Sequence, residues 1–232
     1  MSNSFSLPAA GKSIRAIATD YDGTLATDGL VDEATLSALQ RYRDQGGILL
    51  LVTGRQLDDL QQVFPAIDLF SRVIAENGAV IYDPQSREKR LLGNPPPANL
   101  INILTEKQVS PISVGDVILA TWQPHGETVS ATLRELDLSA RVILNKRAVM
   151  VLPRGVDKAA GLEAALAELN LLPATVAAIG DAENDHDLLA ICGSGVAVNN
   201  ALDTLKISAD WVTAGTRGEG VQQLIDELLD QS

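Results

Sequence analysis

Short aliphatic runs alternate along the chain with stretches whose apolar residues recur every three or four positions. Ile14 to Thr19 is the first run and breaks off at Asp20; Ile48 to Thr53 is the second and ends at Thr53-Gly54-Arg55. Runs of this kind, without polar alternation, suit strands buried on both faces. Between them Asp32 predicts a helix N-cap, Leu36, Leu39 and Tyr42 mark one helical face, and Gly46-Gly47 ends that helix. Leu57, Leu60, Val63 and Phe64 form a second helical face before Pro65. Val73 to Glu76 and Ala79 to Tyr82 flank Asn77-Gly78, which predicts a tight hairpin turn.

The pattern then changes. Pro84 to Pro97 is polar and broken by consecutive prolines. A helix near Ala98 to Lys107, a strand over Val114 to Trp122, a helix over Glu127 to Leu136, and a hairpin of Arg141 to Asn145 with Ala148 to Leu152 about Asn145-Lys146 are expected next. Mixed hairpins and helices of this sort predict an inserted α+β domain over residues 84–153. Strand–helix alternation resumes with a helix over Asp157 to Leu169, a strand over Val176 to Gly180 ending at Asp181, and a helix at Leu188 to Ile191. A strand at Val196 to Val198 and a helix over Val221 to Leu229 complete it. The fold class expected is α/β. A Rossmann-like, doubly wound parallel sheet forms the core, from residues 12–83 and 154–232, and the smaller α+β domain is inserted into it.

Composition narrows the setting. The 232 residues are 46% hydrophobic and 21% charged, enough for one sizeable core with an appended domain. The formal net charge of -12 disfavours nucleic acid and anionic membrane as partners, and it also disfavours an anionic substrate unless cations reverse the field locally. The lone Cys192 permits no intrachain disulfide and reads as a small core residue. Met1 to Ser13 lacks the apolar segment of a secretory signal, and Ile48 to Val52, the longest aliphatic run, is too short to span a bilayer. A cytoplasmic protein with a loose tail at Met1 to Gly11 is expected.

Parallel sheets bind ligands at the carboxyl ends of their strands. Those ends carry Asp20-Tyr21-Asp22-Gly23-Thr24, Thr53-Gly54-Arg55 and Gly180-Asp181-Ala182-Glu183-Asn184-Asp185, with Lys158 in the first turn of the intervening helix. Asp20, Asp22, Asp181 and Asp185 on one rim would raise one another's pKa unless cations compensate. Mg²⁺, a hard cation that accepts carboxylates, waters and phosphate together, suits the set, and Lys158 adds a second positive charge.

These motifs, in this order, resemble the haloacid dehalogenase superfamily: Asp20-Tyr21-Asp22-Gly23-Thr24 its first motif, Thr53 its second, Lys158 its third, and Gly180-Asp181 with Asn184-Asp185 its fourth. Glu76-Asn77-Gly78-Ala79 and the insert after the second motif resemble the Cof-type subgroup, subclass IIB, whose C2-type cap is an α+β domain. The resemblance spans about Ile14 to Leu229. It implies a phosphomonoester hydrolase that acts through an aspartyl-phosphate. Asp20 is then the nucleophile and Asp22 the acid and base. Asp20 and Asp181 bind Mg²⁺ by their carboxylates, Asp22 by its backbone carbonyl, and Asp185 stands behind them or joins them. Thr53, Gly54, Lys158 and Asn184 hold phosphate oxygens. Arg55 divides between substrate or cap contact and a surface ion pair, and Asp185 has the alternative of capping the next helix. His125 and His186 are expected at the surface. The expected substrate is a small phosphorylated metabolite of the sugar phosphate or phosphoglycolate class. The alternatives are a phosphomutase of the same superfamily and a phosphate-binding regulatory module without turnover. The hairpin Asn145-Lys146-Arg147 and the strand end Trp122-Gln123-Pro124-His125 are candidates for the substrate's far end, against a plain solvated turn. The chain is expected to be a monomer or homodimer.

Overall fold

The computed structural model describes residues 13–230; the tail expected at Met1 to Gly11 lies outside the described residues. Among the described residues twelve strands fall into two sheets. The larger is built from β1 (Ala16–Thr19), β2 (Ile48–Val52), β3 (Arg72–Ala75), β4 (Val80–Tyr82), β5 (Lys89–Leu91), β10 (Val176–Gly180), β11 (Ser194–Ala197) and β12 (Trp211–Val212). The smaller contains β6 (Ser113–Val114), β7 (Leu119–Trp122), β8 (Ala140–Asn145) and β9 (Ala148–Pro153). Eight α-helices accompany them: α1 (Glu33–Asp44), α2 (Leu57–Val63), α3 (Ala98–Glu106), α4 (Gly126–Glu135), α5 (Lys158–Glu168), α6 (His186–Ile191), α7 (Asp203–Ser208) and α8 (Arg217–Asp230). Among the described residues no helix is long and apolar enough to cross a membrane.

The order across the larger sheet is β12-β11-β10-β1-β2-β3-β4-β5. All its pairs are parallel except β3–β4 and β4–β5. From β1 the chain moves outward through β2 to β5, then returns to the far side of β1 and moves outward again. The direction of winding therefore reverses between β1 and β10, where α/β sheets open a crevice for ligands. Their register pairs Thr19 with Leu51 on one side and Ile179 on the other, so Asp20 emerges level with the ends of both neighbours. These central strands are buried throughout apart from Ile48, the half-buried first residue of β2, which is why they read as apolar runs.

Helix starts follow the sequence signals. Asp32 caps α1 by accepting from Thr35 N at 2.8 Å, and Asp157 caps α5 by accepting from Ala160 N at 2.8 Å. The start of α5 lies against the Glu76–Gly78 turn between β3 and β4 with no side chain between them. A Cβ on Gly161 would stand 2.6 Å from the Gly78 Cα, and one on Gly78 would stand 1.9 Å from the Asp157 carbonyl oxygen.

The smaller sheet has two working faces. Leu119, Val149 and Val151 join Leu100, Leu104, Val129 and Leu133 in a separate core under α3 and α4. Met150 and Leu152, one position out of phase on β9, pack into the main core instead. The smaller sheet therefore builds its own core with α3 and α4 on one face and packs into the main core with the other.

Two local expectations change. The strand expected over Val114 to Trp122 is two short antiparallel strands, β6 and β7, joined by a turn in which Gly115 N donates to Ile118 O at 2.8 Å. Val117 and Ile118 are apolar because that turn is buried, not because they extend a strand. β5 falls in the polar Pro84 to Pro97 stretch, within the expected insert, yet pairs with β4 in the larger sheet, so that sheet reaches at least to Leu91.

Candidate active site

The carboxyl ends of β1 and β10 bring Asp20 and Asp181 together across the reversal point. Asp20 N donates to Ile179 O at 2.9 Å, which locks the start of the first loop to the neighbouring strand. One carboxylate oxygen from each of Asp20, Asp181 and Asp185 lies within 4.8 Å of the others, and all three residues are buried.

Lys158 sits at the start of α5, 2% exposed, with Nζ 2.6 Å from Asp20 Oδ1 and 2.7 Å from Asp185 Oδ1. Burial pulls its pKa down, but the charges of Asp185 and Asp20 more than offset this and leave it above the ordinary lysine value. Burial works the other way on Asp20. Opposed by Lys158 and reinforced by Asp185 and Asp181, it pushes the carboxyl up to about 7. Asp181 is also raised by burial, with Lys146 working against the shift. Asp20 and Asp181, both reluctant to ionise, and the adjacent Asp185 are hard oxygen donors at a site that could hold a metal ion.

Asp185 has both oxygens engaged. Oδ1 takes Lys158, and Oδ2 accepts from Asp181 N and Ala182 N at 3.0 Å each. It makes no side-chain cap to α6, the alternative open in the sequence. Asn184 Nδ2 donates to Asn77 Oδ1 at 2.9 Å, while Asn184 Oδ1 and Asn77 Nδ2 are buried without protein partners. Thr53, 1% exposed, accepts from Arg55 N at 3.1 Å through Oγ1. Gly54 faces the Met150 sulfur of the insert, 3.7 Å from where a Cβ would stand.

Arg55 makes a two-pronged pair with Asp22, Nε to Oδ2 at 2.7 Å and Nη2 to Oδ1 at 2.8 Å. Nη1 reaches Asp59 Oδ2 at 2.7 Å, and the guanidinium lies 5.4 Å over the Tyr21 ring. The bond to Asp22 is the main reason its pKa is raised. Neither option open for Arg55 in the sequence named Asp22, because nothing in a linear spacing ties residue 55 to residue 22.

The insert reaches the same rim. At the tip of the β8–β9 hairpin, Lys146 Nζ lies 3.1 Å from Asp181 Oδ2. Trp122, 52% exposed, pairs with Ala148 on the neighbouring strand. Neither histidine joins the cluster: His125 Nε2 lies 3.2 Å from Ser110 O, and His186 Nδ1 lies 3.1 Å from Ser208 Oγ.

Residues 17–121 and 127–225 match the family described as haloacid dehalogenase-like hydrolase. The chain belongs to that family. This haloacid dehalogenase-like hydrolase is 31% identical over 224 residues to a phosphoglycolate phosphatase of Methanothermobacter thermautotrophicus, covering 93% of this chain and 99% of that one. It is 29% identical over 230 residues to phosphoglycolate phosphatase 2 of Saccharolobus solfataricus, covering 92% and 91%. A solved haloacid dehalogenase-like hydrolase from Bacteroides thetaiotaomicron superposes with a TM-score of 0.80 at 21% identity, over 93% of this chain and 100% of that one. The hydrolase is thus an enzyme of the phosphatase type within its family, with the α/β sheet that family uses. Four of its rim residues, Asp20, Asp181, Asp185 and Lys158, form one buried charge cluster.

Proposed function

We propose that the protein hydrolyses a small phosphate monoester through an aspartyl-phosphate on Asp20. The observation that carries this reading is the Lys158 ammonium held between Asp20 and Asp185 at the reversal point of the sheet. It supplies a fixed cation beside a fixed carboxylate, where a phosphoryl group can be both attacked and charge-stabilised.

In the first step an Asp20 oxygen attacks phosphorus and the ester P–O bond breaks. The leaving oxygen takes a proton from Asp22. In the second step Asp22, now a carboxylate, accepts a proton from the water that attacks phosphorus, and Asp20 and inorganic phosphate are released. Arg55 donates to both Asp22 oxygens, so its bidentate grip suits the water-activating step, and carrying a proton on Asp22 for the first step must give up one of those bonds. Thr53, the Gly54 amide, Lys158 and Asn184 hold phosphate oxygens in this reading, and the unpartnered Asn184 Oδ1 and Asn77 Nδ2 leave polar capacity at the same rim. Asp20, Asp181 and the Asp22 carbonyl would hold Mg²⁺, with Asp185 fixing Lys158 behind them. When bound, Mg²⁺ compensates the carboxylates and the phosphate charge.

For the substrate, two relatives bear the name phosphoglycolate phosphatase, and Lys146 offers a cation on the insert side of the site. We assign Lys146 to the anionic end of a short phosphorylated acid. The test is phosphate release from phosphoglycolate, several sugar phosphates and p-nitrophenyl phosphate in Mg²⁺. Wild type should turn over at least one metabolite, and Asp20→Asn none. Lys146→Met should raise KM for phosphoglycolate about tenfold or more and leave p-nitrophenyl phosphate nearly unchanged. Asp20→Asn activity within about tenfold of wild type would remove Asp20 as nucleophile.

A further inference from the structure

Glu76 is the buried acid that the chemistry above does not use. It is 1% exposed and holds φ at +51°, a left-handed conformation that is unfavourable for a glutamate. Its carboxylate leaves the catalytic domain and enters the insert. Oε1 accepts from Asp116 N at 2.8 Å, and Oε2 accepts from Val117 N and Ile118 N, both at 2.8 Å. Three successive backbone amides converging on one carboxylate make an anion-binding nest. The turn that forms it, between β6 and β7, also lies at the edge of both chain crossings: a Cβ on Gly93 would meet Pro153 at 2.7 Å and Val117 at 3.0 Å.

The other side of the Glu76 turn grips the phosphate loop. Glu76 N donates to Arg55 O and Asn77 N to Thr53 O, both at 2.9 Å. One short turn therefore fixes the Thr53–Arg55 loop by its backbone and the insert by its side chain. We infer that Glu76 is the pivot on which the insert is registered to the active site, a positioning residue rather than a catalytic one.

Geometry gives the lever arm. Glu76 holds the insert at the Leu119–Val151 end of its sheet, near Pro153, and Lys146 projects from the other end of the same hairpin. Ala148 to Pro153 spans about 17 Å of strand. A rocking of about 10° at the pivot thus moves the hairpin tip by about 3 Å. That displacement is as large as the whole 3.1 Å contact between Lys146 and Asp181. Losses of about ten- to a hundredfold follow from misplacements of this order in a reacting complex.

This inference rests on the phosphatase reading only for its kinetic arm. Two variants test it: Glu76→Gln, which leaves one good acceptor oxygen for three amides, and Gly115→Ala, whose methyl would stand 2.2 Å from Glu76 Oε1 and push the turn off the carboxylate from the insert side. Both are checked for a cooperative thermal transition, and Gly115→Ala carries the test if Glu76→Gln does not fold. Hydrogen exchange at the Val117 and Ile118 amides should accelerate about tenfold or more in each variant. KM for the best metabolite substrate should rise about tenfold more than KM for p-nitrophenyl phosphate, which does not engage the hairpin tip. Unchanged exchange would overturn the tether. Faster exchange with an unchanged ratio of KM values would overturn the positioning role. A wild-type protein without any phosphatase activity would sink the proposed function, while the exchange measurement would still decide whether Glu76 holds the insert.

Discussion

Lys158→Met isolates the charge in the centre of the site. Methionine keeps most of the length and apolar bulk of the side chain and removes the ammonium. Two buried carboxylate oxygens, at 2.6 and 2.7 Å, then lose their shared cation. Removing one partner from a buried ion pair costs about 3–5 kcal/mol, because a charge stays behind without compensation. Asp185 retains its two backbone amides, so the cost falls mainly on Asp20. For a chain of this size about 2–4 °C of Tm accompanies each kcal/mol, which predicts a fall of about 6–20 °C. The deficit must depend on pH. A carboxyl raised above its unfolded value is stabilising while protonated, and that contribution is lost as pH rises through the folded pKa, already about 7 for Asp20 with Lys158 present. The difference in Tm between wild type and Lys158→Met should therefore widen from pH 5.5 to pH 8. Thermal unfolding in chelator and in Mg²⁺ reads both effects, and Mg²⁺ should restore part of the loss at pH 8. A variant within about 2 °C of wild type at pH 8 in chelator would refute the idea that Lys158 neutralises this cluster.

Three further outcomes follow. In wild type, Mg²⁺ should raise Tm more at pH 7.5 than at pH 5, because Asp20 is protonated at the lower pH; equal shifts at both would argue that the ion binds elsewhere. Asp22→Asn should lose turnover severely for alkyl phosphates and less for p-nitrophenyl phosphate, whose leaving oxygen needs little protonation; equal losses measured as kcat/KM would remove Asp22 as the acid. The Cys192 thiol, pushed up to about 12 by burial and Glu163, should be alkylated by iodoacetamide far more slowly than a free cysteine at pH 9, with a rate that still climbs about tenfold per pH unit there; a rate that levels off near pH 9 would show an ordinary thiol.

The parts of this molecule legible in the sequence are those that local patterning dictates. Ala16 to Ala18, Ile48 to Val52 and Val176 to Ile179 are apolar without interruption because they are the sheet's centre, and their abrupt polar ends mark the rim. Sheet edges were not legible. β5 is Lys-Arg-Leu, exposed throughout, and β12 is two residues long, so neither carries a period that sequence can show. Val117 and Ile118 misled for the opposite reason, since burial under Glu76 gave a turn the composition of a strand. Among site residues, Asp20, Lys158, Asp181 and Asp185 stand out by position on strand or helix ends. The Arg55 grip on Asp22 and the Glu76 grip on the insert are tertiary facts joining residues 33 and 40 or more positions apart, with no signature along the chain.

The bare contact between Gly78 and Gly161 acts as a spacer gauge for the buried Lys158. Helix α5 can stand where it does only because neither residue has a side chain, and Lys158 lies less than one turn from Gly161 on that helix. Restoring ordinary contact distance after a methyl at Gly161 requires the helix to back away by about 1 Å. The Lys158 to Asp20 bond, now 2.6 Å, would then stretch towards the limit at which a hydrogen bond stops being one. A substitution that touches no ionisable group would therefore detune the electrostatics of Asp20 through distance alone.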